Sequence, residues 1–265
     1  MLNKSFRWDK VNANDDVCVA LMGYHDMSES APLDKMKNAR SVAFPLRGEW
    51  CATETPAHRI PSHGNALLGQ TYAYDFARLG KSEYDFCSFP LAAYIVFGVP
   101  TRSSYSYGEA VHSATDGTVV AVSDVVANPF WLHPLVDMVI SKWLLLRKLK
   151  RGKDVQLEEL FGNYVFVRVD NELFAAYAHL QQGSIEVSTG DQVCEGDVLA
   201  AVGTTGNAGG PHLHFQMMDS PWLEKAKGVP CGFKDYEAWS GGQWDTVEDG
   251  IPRLNELIRY GTTSE

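Results

Sequence analysis

The sequence predicts an all-β fold, an antiparallel β-sandwich or barrel-like core with one inserted helix and small additions at both ends. From Ser41 onward, short apolar runs alternate with turn residues, which is typical of β-strands. Residues 164–169 alternate in polarity, and an Asp-Asn turn leads into a second apolar run at 173–180, which indicates a hairpin. Gly-Asp turns at 190–191 and 196–197 then predict further short strands.

The chain divides into three predicted regions. These are an N-terminal arm at 1–40, a β-domain at 41–220 and a C-terminal extension packed on that domain at 221–265. Within the β-domain, helical spacing of apolar residues predicts an inserted helix at about 134–151, with basic residues at its C-terminal end. We expect it to pack on the sheet; a lid over a site and a contact with anionic lipid are the alternatives. A short helix is also predicted at 252–260.

Composition restricts the partners of the protein. The chain has 265 residues, a net charge of −10 and a pI of about 5.3, which disfavours binding to a phosphate backbone, so we expect no nucleic-acid partner. The five cysteines form no CxxC pair, so no thiolate zinc site is predicted. No transmembrane segment and no secretory signal are recognised. The location is therefore cytoplasmic by sequence, or the cell envelope or outside if another export route is used; the oligomeric state stays open.

Histidines carry the strongest chemical signal. His212 and His214 are two residues apart on a predicted strand, so their side chains lie on one face. One could instead be a surface residue and the other a hydrogen-bonded core residue. His179 lies on the return strand of the hairpin, and His63 and Asp75 add an imidazole and a carboxylate upstream. Because Asp75 is flanked by aromatic residues, burying it would be costly unless it were paired or coordinated.

Seven motifs follow one another in a distinctive order. They are His63…Asp75, Ala-Thr-Asp-Gly-Thr-Val at 114–119, Gly-Asn-Tyr-Val at 162–165, Tyr-Ala-His-Leu at 177–180, Gly-Asp-Gln-Val-Cys-Glu-Gly at 190–196, Gly-Thr-Thr-Gly at 203–206 and Pro-His-Leu-His-Phe at 211–215. Over roughly residues 60–218, this order resembles the lysostaphin-like (LytM-type) zinc metallopeptidases, which have a duplicated hybrid motif fold.

The resemblance implies a zinc-dependent metalloendopeptidase that hydrolyses a peptide bond in peptidoglycan-type peptides. By position, it implies that His63, Asp75 and His214 bind Zn²⁺. Two imidazoles and one carboxylate would leave a coordination position open for water, as in catalytic zinc sites. His179 and His212 would then be the acid/base pair that acts on this water and on the developing oxyanion.

Two departures from the family pattern affect this prediction. The family usually separates its first histidine and aspartate by four residues, whereas His63 and Asp75 are twelve apart, so His58 is the alternative first ligand. The additions at 77–107 and at the predicted helix would alter or cover the substrate groove.

Two other functions remain possible from the sequence. The chain could be a non-catalytic module that binds wall peptides or regulates a partner hydrolase. It could also be a histidine phosphocarrier-like domain, because the Val-x-x-Gly-Asp repeat is similar to that of sugar-transport phosphocarriers.

Overall fold

The computed structural model describes Met36, residues 38–80, 86–133, Val136 and residues 157–261. The helix predicted at about 134–151 lies outside the described residues except for Val136, which is helical. Most of the predicted arm at 1–40 also lies outside them. Across the part of the chain that is described, no helix is long and apolar enough to cross a membrane.

Strands make up most of the regular structure, as predicted for an all-β fold. They are β1 (Arg40–Val42), β2 (Gly48–Glu54), β3 (Tyr74–Ala77), β4 (Val99–Pro100), β5 (Ala110–His112), β6 (Gly117–Ser123), β7 (Trp131–Leu132), β8 (Asn163–Asp170), β9 (Leu173–Leu180), β10 (Gln192–Val193), β11 (Val198–Ala201), β12 (Leu213–Met218), β13 (Gly228–Val229), β14 (Cys231–Phe233), β15 (Tyr236–Ser240), β16 (Gln243–Val247) and β17 (Leu257–Tyr260). Helices with described bounds are α1 (Leu91–Phe97) and α2 (Leu157–Phe161), and 3₁₀ segments lie at Leu67–Tyr72 and Thr101–Ser103.

One large antiparallel sheet organises the molecule. Its order is β10-β6-β8-β9-β12-β3-β2-β17-β15-β16, and β13 also pairs with β12, which gives eleven strands. Strands β5 and β11, and β4 and β7, form small antiparallel pairs, while β1 and β14 pair in parallel. The predicted antiparallel fold is confirmed, and the large sheet does not close into a barrel within the described residues.

The centre of the sheet is covered on both faces. Strands β8 and β9 form the predicted hairpin, with Val165 opposite Tyr177. Val165 and Val167 lie in the main core, while Tyr164 and Phe166 belong to a second apolar cluster. Alternate residues of a strand point to opposite faces, so β8 contributes to a core on each side of the sheet.

Aromatic rings fill the main core behind strands β3 and β12. Phe233 is fully buried, and its ring centroid lies 5.0 Å from that of Tyr74 and 5.3 Å from that of Phe44, both in edge-on geometry. It also lies within 6 Å of the rings of Phe76 and Phe215, at 5.6 and 5.7 Å. Edge-on aromatic pairs at these separations are favourable beyond the area they bury.

The C-terminal residues extend the same sheet. The helix predicted at 252–260 is wrong, because Leu257–Tyr260 is strand β17 and pairs with β2, with Ile258 opposite Trp50. A nine-residue helix gains little stability by itself. The strand instead satisfies backbone hydrogen bonds of β2 and buries Ile258 completely. The division at residues 40 and 220 stays a prediction.

Candidate metal centre and active site

The candidate site lies where three adjacent strands meet. Asp75 is on β3, His179 is near the end of β9 and His214 is on β12, which runs between the other two strands. His214 is directly opposite Asp75 in the antiparallel ladder. His212 lies just before β12, and His63 is on the loop between β2 and β3. The sheet therefore brings together residues that are distant in sequence.

Alternation along β12 separates the core side chains from the site. Leu213 and Phe215 are fully buried in the main core, so His212 and His214 point to the opposite face. The prediction that these two histidines share one face agrees with this geometry.

His63, Asp75 and His214 form a compact cluster of metal-ligand atoms. One ligand atom from each residue can be chosen so that all lie within 4.8 Å of one another. His63 Nε2 is 3.1 Å from Asp75 Oδ2, and His214 Nδ1 is 2.9 Å from Asp75 Oδ1. His58, the alternative first ligand, is not part of this cluster. The twelve-residue spacing therefore does not prevent His63 from reaching Asp75.

The hydrogen-bond partners of His214 define its neutral tautomer. Gln216 Nε2 donates to the Leu68 carbonyl over 2.8 Å. Since a carbonyl can only accept, the amide oxygen of Gln216 faces His214 Nε2, at 3.0 Å. His214 Nε2 therefore carries the hydrogen in the neutral ring, and the lone pair of Nδ1 faces Asp75.

The same reasoning applies to His63. The Ser62 hydroxyl donates to the Gln70 carbonyl over 3.2 Å, so its oxygen is left to accept from His63 Nδ1, 3.1 Å away. In the neutral ring, the lone pair of His63 Nε2 therefore also faces the Asp75 carboxylate.

His179 and His212 are each held by a backbone carbonyl. His179 Nδ1 donates to Thr205 O and His212 Nδ1 donates to Gly210 O, both over 2.8 Å. Their ring centroids are 4.7 Å apart, and His212 Nε2 is 3.7 Å from Asp75 Oδ2. The Nε2 atoms of both neutral rings are therefore available as proton acceptors.

In these tautomers, hydrogen-bond acceptors of the histidines face the acceptor oxygens of Asp75. With neutral rings, the lone pairs of His63 Nε2 and His214 Nδ1 face a carboxylate without a hydrogen between them. Such a cluster requires a cation, either an added proton or a metal ion. Imidazole nitrogen and carboxylate oxygen are ligands that Zn²⁺ takes, so the donor set fits a zinc ion.

The charges of the cluster are strongly coupled. Burial favours the neutral acid of Asp75, but His63, His212 and His214 outweigh it and hold the pKa of Asp75 well below its usual value. Burial likewise opposes a charge on His63, yet the adjacent Asp75 carboxylate raises the pKa of His63. Burial, followed by the neighbouring His212 and His214, keeps the pKa of His179 well below its usual value. His179 is therefore neutral at pH 7.

The backbone of His179 is strained. Its φ is 62°, a left-handed value that residues other than glycine rarely adopt. Thr205 stabilises this conformation, because its hydroxyl donates to Leu180 O over 2.9 Å and accepts from the Asn163 backbone N–H over 2.8 Å. Strain of this kind is concentrated at functional sites.

Sequence reasoning missed the residues that orient the histidines. Gln216 could have been found, because it is two residues after His214 on the same strand face. Thr205 and Gly210 act through backbone carbonyls, which every residue has, so their types gave no signal. Ser62 directly precedes His63, but adjacency in sequence does not by itself indicate a hydrogen bond between the two side chains.

Comparison with known proteins agrees with the motif order. Residues 149–227 match the family model described as Peptidase family M23, and this stretch contains His179, His212 and His214. We call this stretch the M23 segment because of that match, which covers less than half of the chain. His63 and Asp75 precede the M23 segment, so their assignment depends on the geometry described above.

Two curated bacterial proteins are similar to parts of the chain. Peptidoglycan DD-endopeptidase ShyC of Vibrio cholerae is 39% identical over 100 residues, which are 37% of this chain and 22% of ShyC. Cell division protein DipM of Caulobacter vibrioides is 43% identical over 70 residues, which are 26% of this chain and 11% of DipM. The chain thus spans less than a quarter of either relative.

Solved structures show partial similarity. The catalytic domain of the antimicrobial peptidase lysostaphin from Staphylococcus simulans is 16% identical, with 75% of this chain and 94% of that chain covered and a TM-score of 0.33. A zinc containing peptidase from Vibrio cholerae is 20% identical, with 73% and 36% covered and a TM-score of 0.31.

Proposed function

We propose that the chain is a zinc metalloendopeptidase that hydrolyses a peptide bond in peptidoglycan-type peptides. His63, Asp75 and His214 would hold the zinc ion, and His179 and His212 would be the acid/base pair. The observation that carries this proposal is the contact between His214 Nδ1 and Asp75 Oδ1, two acceptors 2.9 Å apart beside a third ligand atom. The M23 segment and the similarity to ShyC support a peptidoglycan-type substrate.

The roles of the protein side chains follow from their hydrogen bonds. Bound zinc supplies a Lewis acid that lowers the pKa of a water molecule and polarises the scissile carbonyl. His179 keeps its Nδ1 hydrogen on Thr205 O, so its neutral Nε2 can accept a proton from the attacking water. His212 is held in the same way by Gly210 O, so in its protonated form its Nε2–H can donate to the developing oxyanion. Each imidazole is thus oriented before substrate binds.

Removal of zinc is expected to abolish hydrolysis. The purified protein should cleave a cross-linked peptidoglycan peptide, lose this activity after dialysis against a chelator and regain it with one equivalent of Zn²⁺ but not with Mg²⁺. Magnesium prefers oxygen ligands and octahedral geometry, which this donor set does not offer. The assay is chromatography of the cleaved peptides together with metal analysis.

Full activity of the metal-free protein would refute the proposal. Zinc-loaded protein that binds the peptide without cleaving it would favour the non-catalytic binding module instead.

Replacing His179 with alanine is expected to lower kcat about 10²–10⁴-fold, the usual contribution of a general acid or base. Zinc content should stay at wild-type level, because the ligand cluster does not include His179. The matched control is His112→Ala, since His112 lies on β5 and its Nδ1 donates to Gly196 O in a separate part of the fold. Unchanged kcat in His179→Ala protein would remove this residue from the proposed pair.

A further inference from the structure

We propose that Gln216 is a positioning residue that fixes the tautomer of His214, and that the long loop between His63 and Asp75 holds Gln216 in place. This inference rests on the proposed function, because its purpose is to keep His214 Nδ1 available to a metal ion.

Gln216 is completely buried and lies on the same face of β12 as His214. Its Oε1 is 3.0 Å from His214 Nε2, and its Nε2 is 2.8 Å from Leu68 O. The amide also lies 3.5 Å from Met218 Sδ, a weak acceptor. Both ends of the amide are therefore satisfied, which is expected of a buried polar group that is part of a network.

The carbonyl of Leu68 determines which end of the amide faces His214. If the amide were turned around, its oxygen would face the Leu68 oxygen and both would be acceptors. The observed orientation presents an acceptor to His214, so the neutral ring keeps its hydrogen on Nε2.

The loop has the backbone needed to present this carbonyl. Leu68 has φ 58° and Gly69 has φ 75°, both left-handed. A Cβ on Gly69 would lie 2.9 Å from Gln216 Nε2, so glycine permits the close approach. These residues belong to the eleven-residue connection between His63 and Asp75. The longer connection thus supplies the Leu68 carbonyl, which orients the Gln216 amide that faces His214.

Loss of the Gln216 acceptor would leave the His214 tautomer free to change. Asp75 Oδ1, 2.9 Å from Nδ1, is then the best acceptor in reach, so the ring hydrogen moves to Nδ1. A metal ion would have to displace that hydrogen before binding. Partners of this kind typically change metal affinity about 10–100-fold.

The direct test is the tautomer of His214 in metal-free protein, measured by ¹⁵N NMR of the imidazole ring. Wild-type protein should keep a hydrogen on Nε2, whether or not Nδ1 also carries a proton, whereas Gln216→Leu protein should have its ring hydrogen mainly on Nδ1 alone. Gln216→Glu retains an acceptor beside Nε2, and the hydroxyl of its protonated carboxyl can donate to Leu68 O, so this variant should restore the wild-type tautomer. The matched control is Gln192→Leu, which removes an exposed amide that donates to Thr118 Oγ1 on the same sheet.

Zinc affinity, measured by competition with a chromophoric chelator, is the second readout. It should fall about 10–100-fold in Gln216→Leu and stay within a few-fold of wild type in Gln216→Glu and Gln192→Leu. A hydrogen that stays on Nε2 in Gln216→Leu protein would overturn the inference. If wild-type protein bound no zinc, the proposed function would fail, whereas the NMR result would still decide the role of Gln216.

Discussion

Asp75→Asn protein is expected to bind zinc more than about 100-fold more weakly than wild type and to have no measurable peptidase activity. Residues that only support a metal ligand already change affinity about 10–100-fold, so removal of a charged ligand should exceed that range. Asp75 is also the only carboxylate in the cluster of ligand atoms found in the described chain. Its replacement leaves two neutral imidazoles for a divalent ion, without an anion to balance its charge.

The measurement is zinc stoichiometry after equilibrium dialysis, together with peptide hydrolysis. Asp116→Asn is the matched control, because Asp116 accepts a hydrogen bond from the Glu195 backbone in a separate turn. Asp116→Asn should bind and cleave as wild type does. Stoichiometric zinc in Asp75→Asn protein would show that the ion is held by other residues.

Phe233→Ala is expected to lower the free energy of unfolding by about 3–5 kcal/mol, the usual cost of removing a buried phenyl ring. The ring is fully buried and contacts four other aromatic rings, so the cavity cannot easily collapse. Three of these rings, those of Tyr74, Phe76 and Phe215, belong to residues next to Asp75 or His214 in sequence. Zinc affinity should therefore fall as well, although Phe233 does not contact the site.

Chemical denaturation measures this change. Phe97→Ala is the control, because Phe97 is 74% exposed and its truncation should change stability by less than about 0.5 kcal/mol. Residue 233 lies beyond the stretch that matches the M23 model. A loss below about 1 kcal/mol would mean that the segment after residue 227 contributes little to the core.

Local patterns predicted local structure. The alternation at 164–169 and the turn that follows it predicted the hairpin of β8 and β9, which is confirmed. The same reasoning failed for β17, because the choice between helix and strand depended on an edge of β2 that is some two hundred residues away in sequence. The placement of β12 between β9 and β3 is a long-range pairing that alternation does not encode.

The sequence predicted the five side chains of the candidate site, but not the groups that orient them. Motif order named all five residues, and the structure brings their ring and carboxylate atoms together; that they bind zinc and transfer protons stays a prediction. The carbonyls that orient His179 and His212, and the amide that orients His214, depend on how loops return to the sheet. Apart from Val136, the predicted helix at 134–151 lies outside the described residues.

The position of β12 between β9 and β3 has a consequence for biosynthesis. Asp75, His179 and His214 are translated far apart and meet only when β12 has paired on both sides. A chain that stops before β12 lacks His214 and cannot assemble the cluster. Under the proposed function, a chain in which β12 has not yet been made would therefore have no hydrolytic capacity.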